Sequence, residues 1–358
     1  MKIAVLGSND SAFAIAFEWA SKGHNIYMYD LPDSAEAISE ISILGGIYSV
    51  GQMEGFQKIV YAGEDLEQVL VGADIIFVVE PADRVEDMGQ ACSRYACEGQ
   101  RYVVMPSTGM GALAFKNALG LSIDDDSILV AETHTVPYIS RIVGRGKISV
   151  FYKLESGYKV AAIPKKKSEE IYELLKPVFT GIEKAESVLQ TTLQNCNPVT
   201  QPAITTLNAA LIERTQGDFF FYNDGVTPAV AKIMKIIDDE RIAIGKTLDL
   251  AIESSVDLGM RQGIIESAEY ESGYSNSPEF DRIIAQTSLD YRFYTEDVGF
   301  TMIFWIELAE KIGVPVPMMT AISTIVSGIL QRDFRKESPR TLERLKLNEY
   351  SLEELKAL

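Results

Sequence analysis

The first pattern able to do chemistry is Gly7-Ser8-Asn9-Asp10-Ser11-Ala12, directly after the apolar run 3–6. A Gly-x-Gly-x-x-Gly/Ala loop between a strand and a helix binds dinucleotides. The first Gly permits a tight turn, the second lets backbone approach a pyrophosphate, and a small third residue lets helix and strand pack. Gly7 and Ala12 meet the first and third requirements, while Asn9 fills space that Gly would leave open. Asp10 and Ser11 open the helix, whose N-terminal amides suit a diphosphate. Asp30, 23 residues after Gly7, ends the second apolar run. A carboxylate there would bond a ribose diol and repel a 2′-phosphate, so NAD(H) is expected over NADP(H). An ordinary strand-end turn, Asp30-Leu31-Pro32, is the alternative for that residue.

Two further loops would meet the same nucleotide. Glu80-Pro81-Ala82 follows the apolar run 74–79, and Pro106-Ser107-Thr108-Gly109 follows the run 102–105. Ligands of such folds lie at the carboxyl ends of parallel strands. Either loop serves equally as a plain strand-to-helix turn, and the sequence does not separate the two readings. His134, in Glu132-Thr133-His134-Thr135, follows a strand end expected on the same edge. It is a candidate proton donor or, as simply, a hydrogen-bonded loop histidine.

The elements that must hold these residues follow from periodicity. Short apolar runs at 3–6, 26–29, 58–61, 74–79, 102–105 and 128–131 alternate with stretches of helical period such as 11–21 and 66–71. Continuous apolar runs alternating with helices imply a mainly parallel, doubly wound α/β sheet covered on both faces. Residues 147–152 and 160–163 read as further strands. Ser168 is placed to cap a helix whose apolar face is Ile171, Leu174, Leu175 and Val178. Beyond about residue 190 the strand signal stops. Ile237, Ile244, Leu248 and Ala251 recur at helical spacing, and the segment from Thr301 reads as long helices broken at residues 313–317. The expectation is a Rossmann-type domain over 1–190 and an all-α domain over 191–358.

Composition narrows the function. The 358 residues are 47% hydrophobic and 9% aromatic, which is globular, and two domains suit that length. A net charge of −18 with no run of Lys and Arg argues against nucleic acid as a partner. The apolar stretches 298–309 and 314–330 are interrupted by Glu307 or by Pro315 and Pro317, and neither is long enough for a membrane span. Three cysteines and two histidines form no ligand spacing, so no metal site is expected. The start MKIAVLG enters a strand with no leader before it, so a cytoplasmic protein with reduced thiols is expected.

The second half carries more specific segments: Asn195-Cys196-Asn197-Pro198-Val199-Thr200-Gln201-Pro202, Asp239-Glu240-Arg241, Tyr291-Arg292-Phe293-Tyr294-Thr295-Glu296-Asp297-Val298, and Asp333-Phe334-Arg335 followed by Arg340-Thr341-Leu342-Glu343. In order and spacing the chain resembles, over essentially its whole length, the octopine/nopaline (opine) dehydrogenase family. The resemblance implies a Rossmann fold with a 6-phosphogluconate dehydrogenase C-terminal-like helical domain. It also implies a reaction, in which a reduced nicotinamide cofactor joins a 2-oxo acid such as pyruvate to the amino group of an amino acid. The family's active site is a His supported by an Asp, with an Arg nearby, and the resemblance places the Arg on Arg292 and the Asp on Asp297. A guanidinium offers a planar fork to a carboxylate, and an Asp orients a His acid/base. A structural ion pair is the plainer reading of the two.

The family's His, in Asn-x-Val-x-His-Pro, falls on Gln201 in this chain. Gln holds a carbonyl by hydrogen bonding but does not gain or lose a proton near neutral pH. Three accounts follow. Gln201 holds the carbonyl or imine while water supplies the proton; or His134 supplies it; or the protein is a catalytically impaired dinucleotide-binding or sensing module. A hydroxy-acid dehydrogenase of similar layout is a fourth, but the Lys and Asn that such folds place on a helix have no clear equivalent. Phe219, Phe220, Phe221, Tyr222 and Tyr138 would line an apolar pocket or fill core. The helical segment 318–330 would either pair two subunits in a homodimer or fill its own domain.

Overall fold

Five-residue apolar runs cannot cover themselves, and in this protein they are stacked side by side. A computed structural model describes residues 1–358, the side chain of Ala35 excepted. The strands are β1 (Lys2–Leu6), β2 (Asn25–Tyr29), β3 (Gly46–Gly51), β4 (Gly55–Lys58), β5 (Tyr61–Ala62), β6 (Ile75–Val78), β7 (Arg101–Val104), β8 (Leu129–Thr133), β9 (Tyr138–Gly144), β10 (Lys147–Lys153), β11 (Tyr158–Ile163) and β12 (Ile182–Lys184). Eight form one sheet in the order β12-β11-β8-β7-β6-β1-β2-β5. Its pairs are parallel except β11 against β8. The α/β Rossmann architecture expected from the sequence is therefore present, with the chain reversing its order of strand addition between β1 and β6, where such folds open a ligand crevice.

The remaining four strands form a separate sheet, β4-β3-β10-β9, that periodicity did not reveal. Two expectations change with it. The run 58–61 is not one strand: Lys58 ends β4 in the small sheet, while Tyr61 begins β5 at the edge of the large one. Likewise 147–152 is a strand, but it pairs with β3 and β9 rather than within the large sheet. A period-two pattern reports that a segment is extended, and only pairing decides which sheet takes it.

Ser168 begins the helix Ser168–Leu175 without capping it, because its hydroxyl accepts the Ala162 N–H at 2.9 Å. Ile171, Leu175 and Val178 are buried as expected, and Leu174 is only partly so. Contacts divide the chain into two compact units, Met1–Ser107 with Gly111–Thr191, and Thr108–Met110 with Thr192–Leu358. The regular elements of the second unit are helices, the longest being Pro228–Thr247. Ile237 and Ile244 lie in its buried face and Leu248 is its C-cap, but the helix stops short of Ala251. Gly313, in the left-handed region at φ 77°, ends the helix Ile303–Ile312, and Pro317 opens Pro317–Leu330, as its fixed φ favours. No described helix is long and apolar enough to cross a membrane.

At the helix Asp10–Ser21, Asn9 is the N-cap. Its Oδ1 accepts the Ser11 and Ala12 N–H groups at 3.1 Å each, and its Nδ2 donates to the Val79 carbonyl at 2.6 Å. One side chain thus ties the first helix to the end of β6. Asn9→Ala is expected to lower unfolding stability by about 1 kcal/mol through the lost cap, read as a lower midpoint in urea unfolding. An unchanged midpoint would show that the cap is not holding this turn.

Candidate functional sites of the two units

In the first unit, the carboxyl ends of the parallel strands bring Gly7, Asp30, Glu80 and His134 to one edge of the sheet. Gly7 has φ +123°, and a Cβ there would lie 2.2 Å from the Val79 carbonyl oxygen. Only glycine lets β1 and β6 turn away at this separation. Asn9 itself sits at an ordinary φ of −83°, so no glycine is required for the backbone there. Its side chain lies back over the helix start, so the Ser11 and Ala12 amides are already partnered. The Asp10 carboxylate accepts the Ile142 N–H at 2.5 Å and lies 3.7 Å from Arg141, tying the helix to β9.

Asp30 is buried and accepts from Ser8 Oγ at 2.5 Å and from the Leu31 N–H at 2.7 Å. Glu80 is buried beside it, with Oε2 3.5 Å from Arg84 Nε. Its other oxygen, Oε1, has no hydrogen-bond partner and is 3.7 Å from where a Gly7 Cβ would be. Burial, with the Asp30 carboxylate adding to it, pushes the Glu80 carboxyl up to about 9, so it keeps its proton near neutral pH. Pro81 is exposed and Ala82 buried at the start of the following turn. The missing Gly7 Cβ leaves room for close backbone approach, and the buried Asp30 and the unpartnered Glu80 oxygen can accept from the hydroxyls of a sugar.

Two of the expected residues, Thr108 and Gly109, are placed otherwise, while His134 at this edge is held by backbone hydrogen bonds. Thr108 and Gly109 pack within the second unit: Thr108 O accepts from Arg340 Nε at 3.3 Å, and a Gly109 Cβ would lie 2.5 Å from the Phe300 carbonyl. His134 is 2% exposed and continues the β8–β11 pairing. Its N–H donates to Lys159 O at 3.3 Å and its Nδ1 accepts the Lys159 N–H at 3.0 Å. A ring nitrogen that accepts a backbone amide is committed to one tautomer.

In the second unit, Gln201 lies in the helix Asn197–Leu207 just before Pro202, whose ring removes one amide from that helix. Arg292 begins the short helix Arg292–Thr295, and Asp297 begins a π-helical turn, Asp297–Met302, a widening that recurs at functional sites. The structure brings the three together around Tyr222, whose hydroxyl interacts with Gln201 and Thr200 and feels both Asp297 and Arg292. Burial pushes the Tyr222 phenol up to about 12, so it stands as a hydrogen-bond donor. Its ring is fixed by stacking on Phe280, centroids 4.3 Å apart. Sequence reading had grouped Tyr222 with an apolar run; its polar tip is the one signal that a run of aromatics carries.

Asp297 is 4% exposed, and its Oδ2 has no hydrogen-bond partner. Burial drives its carboxyl well above the usual range and Glu296 adds to this, while Arg292 only partly offsets them. Arg292 is exposed, and burial of its guanidinium is outweighed by Glu296 and Asp297, which raise it further. No hydrogen bond of that guanidinium is found among the described residues, so its fork of donors is open to a ligand. Gln201 Oε1 is buried and likewise unpartnered. An open guanidinium, a buried carboxyl whose pKa is raised by burial, an amide and a phenol can together orient an anionic carbonyl compound.

Residues 184–330 match the model of the NAD/NADP octopine/nopaline dehydrogenase α-helical domain. An octopine dehydrogenase solved with NADH and L-arginine has the same fold, with a TM-score of 0.80 at 18% identity over 100% of this chain and 98% of that one. A yersinopine dehydrogenase with NADP+ bound gives 0.72 at 13% identity, covering 100% and 97%. The opine dehydrogenase of Arthrobacter sp. (strain 1C) is 30% identical over 347 residues, 96% of this chain and 95% of that protein. Similarity of that extent, spanning both the dinucleotide edge and the Arg292–Asp297 cluster, makes this chain a member of the opine dehydrogenase family.

Proposed function

We propose that the protein is a NADH-dependent oxidoreductase that condenses a 2-oxo acid, such as pyruvate, with the amino group of an amino acid and reduces the resulting imine. The observation that carries this reading is the grouping of an open Arg292 fork with buried Asp297, Gln201 and Tyr222. Related proteins of the fold bind NADH with L-arginine, or NADP+, which supports a nicotinamide cofactor and an amino acid partner. Asp30 favours NADH over NADPH, as a carboxylate facing the ribose does.

The reduced nicotinamide supplies the hydride. Gly7 gives the first turn its close approach, and Asp30 accepts from the ribose. Arg292 pairs bidentately with the 2-oxo acid carboxylate. Gln201 and Tyr222 hydrogen-bond the carbonyl oxygen while the amine adds. That oxygen leaves as water with two protons that started on the amino group and are relayed through solvent water, which gives the iminium. An iminium cation accepts hydride directly, so reduction itself needs no acid, and the slow part falls on condensation. His in place of Gln201 would carry the proton that this step lacks and give Asp297 a cationic partner. A protein that only binds its ligands is the second reading, favoured by the same Gln201.

A screen crossing 2-oxo acids with amino acids, following NADH oxidation, tests the proposal. Turnover of at least one pair is expected, and Arg292→Ala should reduce kcat/KM by about a hundredfold, as loss of a bidentate carboxylate contact at 2–3 kcal/mol implies. Gln201→His should raise kcat by two orders of magnitude or more, the usual worth of a placed acid/base. No turnover by either the parent or Gln201→His would leave the binding reading.

Asp297 gives a pH prediction. Its folded-state carboxyl titrates above the ordinary value of 3.8, so the unfolded chain loses that proton first and stability falls as pH rises from there. Asp297→Asn removes this penalty. Its thermal midpoint should exceed the parent's at pH 8, with the gain vanishing below pH 3.8; an equal midpoint at pH 8 would show the carboxyl to be unburdened.

A further inference from the structure

Beside Asp30 stands an arginine that the dinucleotide motif does not require. Arg84 closes the 3₁₀ turn Ala82–Arg84 after β6. Its Nη1 and Nη2 donate to the two oxygens of Asp33 at 2.7 and 2.6 Å, a bidentate pair. The same Nη2 is 4.0 Å from Asp30, and Nε is 3.5 Å from Glu80. One guanidinium therefore faces three carboxyl groups from two loops, Asp30 and Asp33 after β2 and Glu80 after β6.

We infer that Asp33 sets the choice of cofactor by occupying the guanidinium fork of Arg84, which would otherwise take the 2′-phosphate of NADPH beside Asp30. The inference rests on the nucleotide reading of this sheet edge. A planar fork is the side chain best matched to a phosphate, and its position 4 Å from the carboxylate expected at the ribose puts it within reach of a 2′ substituent. Asp33 closes that option twice, by filling both donors and by adding negative charge. Arg84 holds Asp33 below the usual carboxylate value through the paired hydrogen bonds, so the pair stays charged across neutral pH. With Asp30 and Asp33 against one Arg84, the cluster is net negative, and a phosphate would meet repulsion there. The Asp33 side chain is 71% exposed, so it acts on the ligand through Arg84 and not as part of the core.

Equilibrium titrations of NADH and NADPH fluorescence with the parent, Asp33→Ser and Asp33→Ser/Arg84→Ala read the inference without any turnover. The parent is expected to prefer NADH. Asp33→Ser should shift the ratio of Kd values toward NADPH by at least tenfold, about 1.4 kcal/mol, and adding Arg84→Ala should abolish the shift. A ratio unmoved by Asp33→Ser overturns the inference. So does a shift that survives in the double variant, which would reduce Asp33 to a bare charge. Failure of the parent to bind either dinucleotide removes the nucleotide reading itself, and the inference with it. Normal binding with an unmoved ratio removes only the inference.

Discussion

Taking a carboxyl out of water is costly unless donors meet it, and each unit of this protein does so beside its candidate site. Glu80 keeps one oxygen unpartnered above the Gly7 turn, and Asp297 keeps one unpartnered at the π-helical turn. In both, burial outweighs the nearby arginine and drives the carboxyl toward its neutral form. Such groups reduce stability and are retained where a ligand completes their hydrogen bonding, which is why perturbed carboxyls mark sites.

A fully paired carboxylate in the helical unit shows the alternative. Asp238 and Arg241, neither side chain exposed, bond each other at 2.5 Å. Arg241 also donates to the carbonyls of Leu193 and Glu253, and Asp238 accepts the Ser255 N–H and the Tyr270 hydroxyl. Each Asp238 oxygen meets two donors, and the network ties the long helix Pro228–Thr247 to Leu193, to the segment Glu253–Ser255 and to Tyr270. Breaking one half of such a pair leaves an uncompensated charge in the core. The contrast between Asp238 and Asp297 is between a carboxylate with both oxygens partnered and a carboxyl with one oxygen left over.

Family membership and site chemistry also part company in an instructive way. In the proposed reading the chain keeps Arg292 and Asp297 and carries Gln201 and Asn9 at the positions where the family's pattern would place a proton carrier and a glycine. Asn9 turns out to be a helix cap that grips β6, so its departure from the fingerprint strengthens the turn while occupying two amides of the helix start. Gln201 lies against Tyr222, where its amide can hydrogen-bond but does not exchange a proton near neutral pH.

The sequence by itself determined the alternation of strands and helices, the change to helices near residue 190, and the segments that carry the family's pattern, because these depend on period and residue type along the chain. Gly7, Asp30, Glu80, Arg292 and Asp297 were singled out there by residue type and spacing, and folding gathers the first three at one sheet edge and the last two near Tyr222. What only the tertiary structure decided depends on partners distant in sequence. The second sheet arises because β3 and β10, about a hundred residues apart, pair with each other. Thr108 and Gly109 pack against Phe300 and Arg340, His134 is committed to Lys159, and Tyr222 leaves the apolar run to meet Gln201. Arg84 gave no signal in the chain, since an arginine acquires its role only from the carboxyl groups that folding gathers around it.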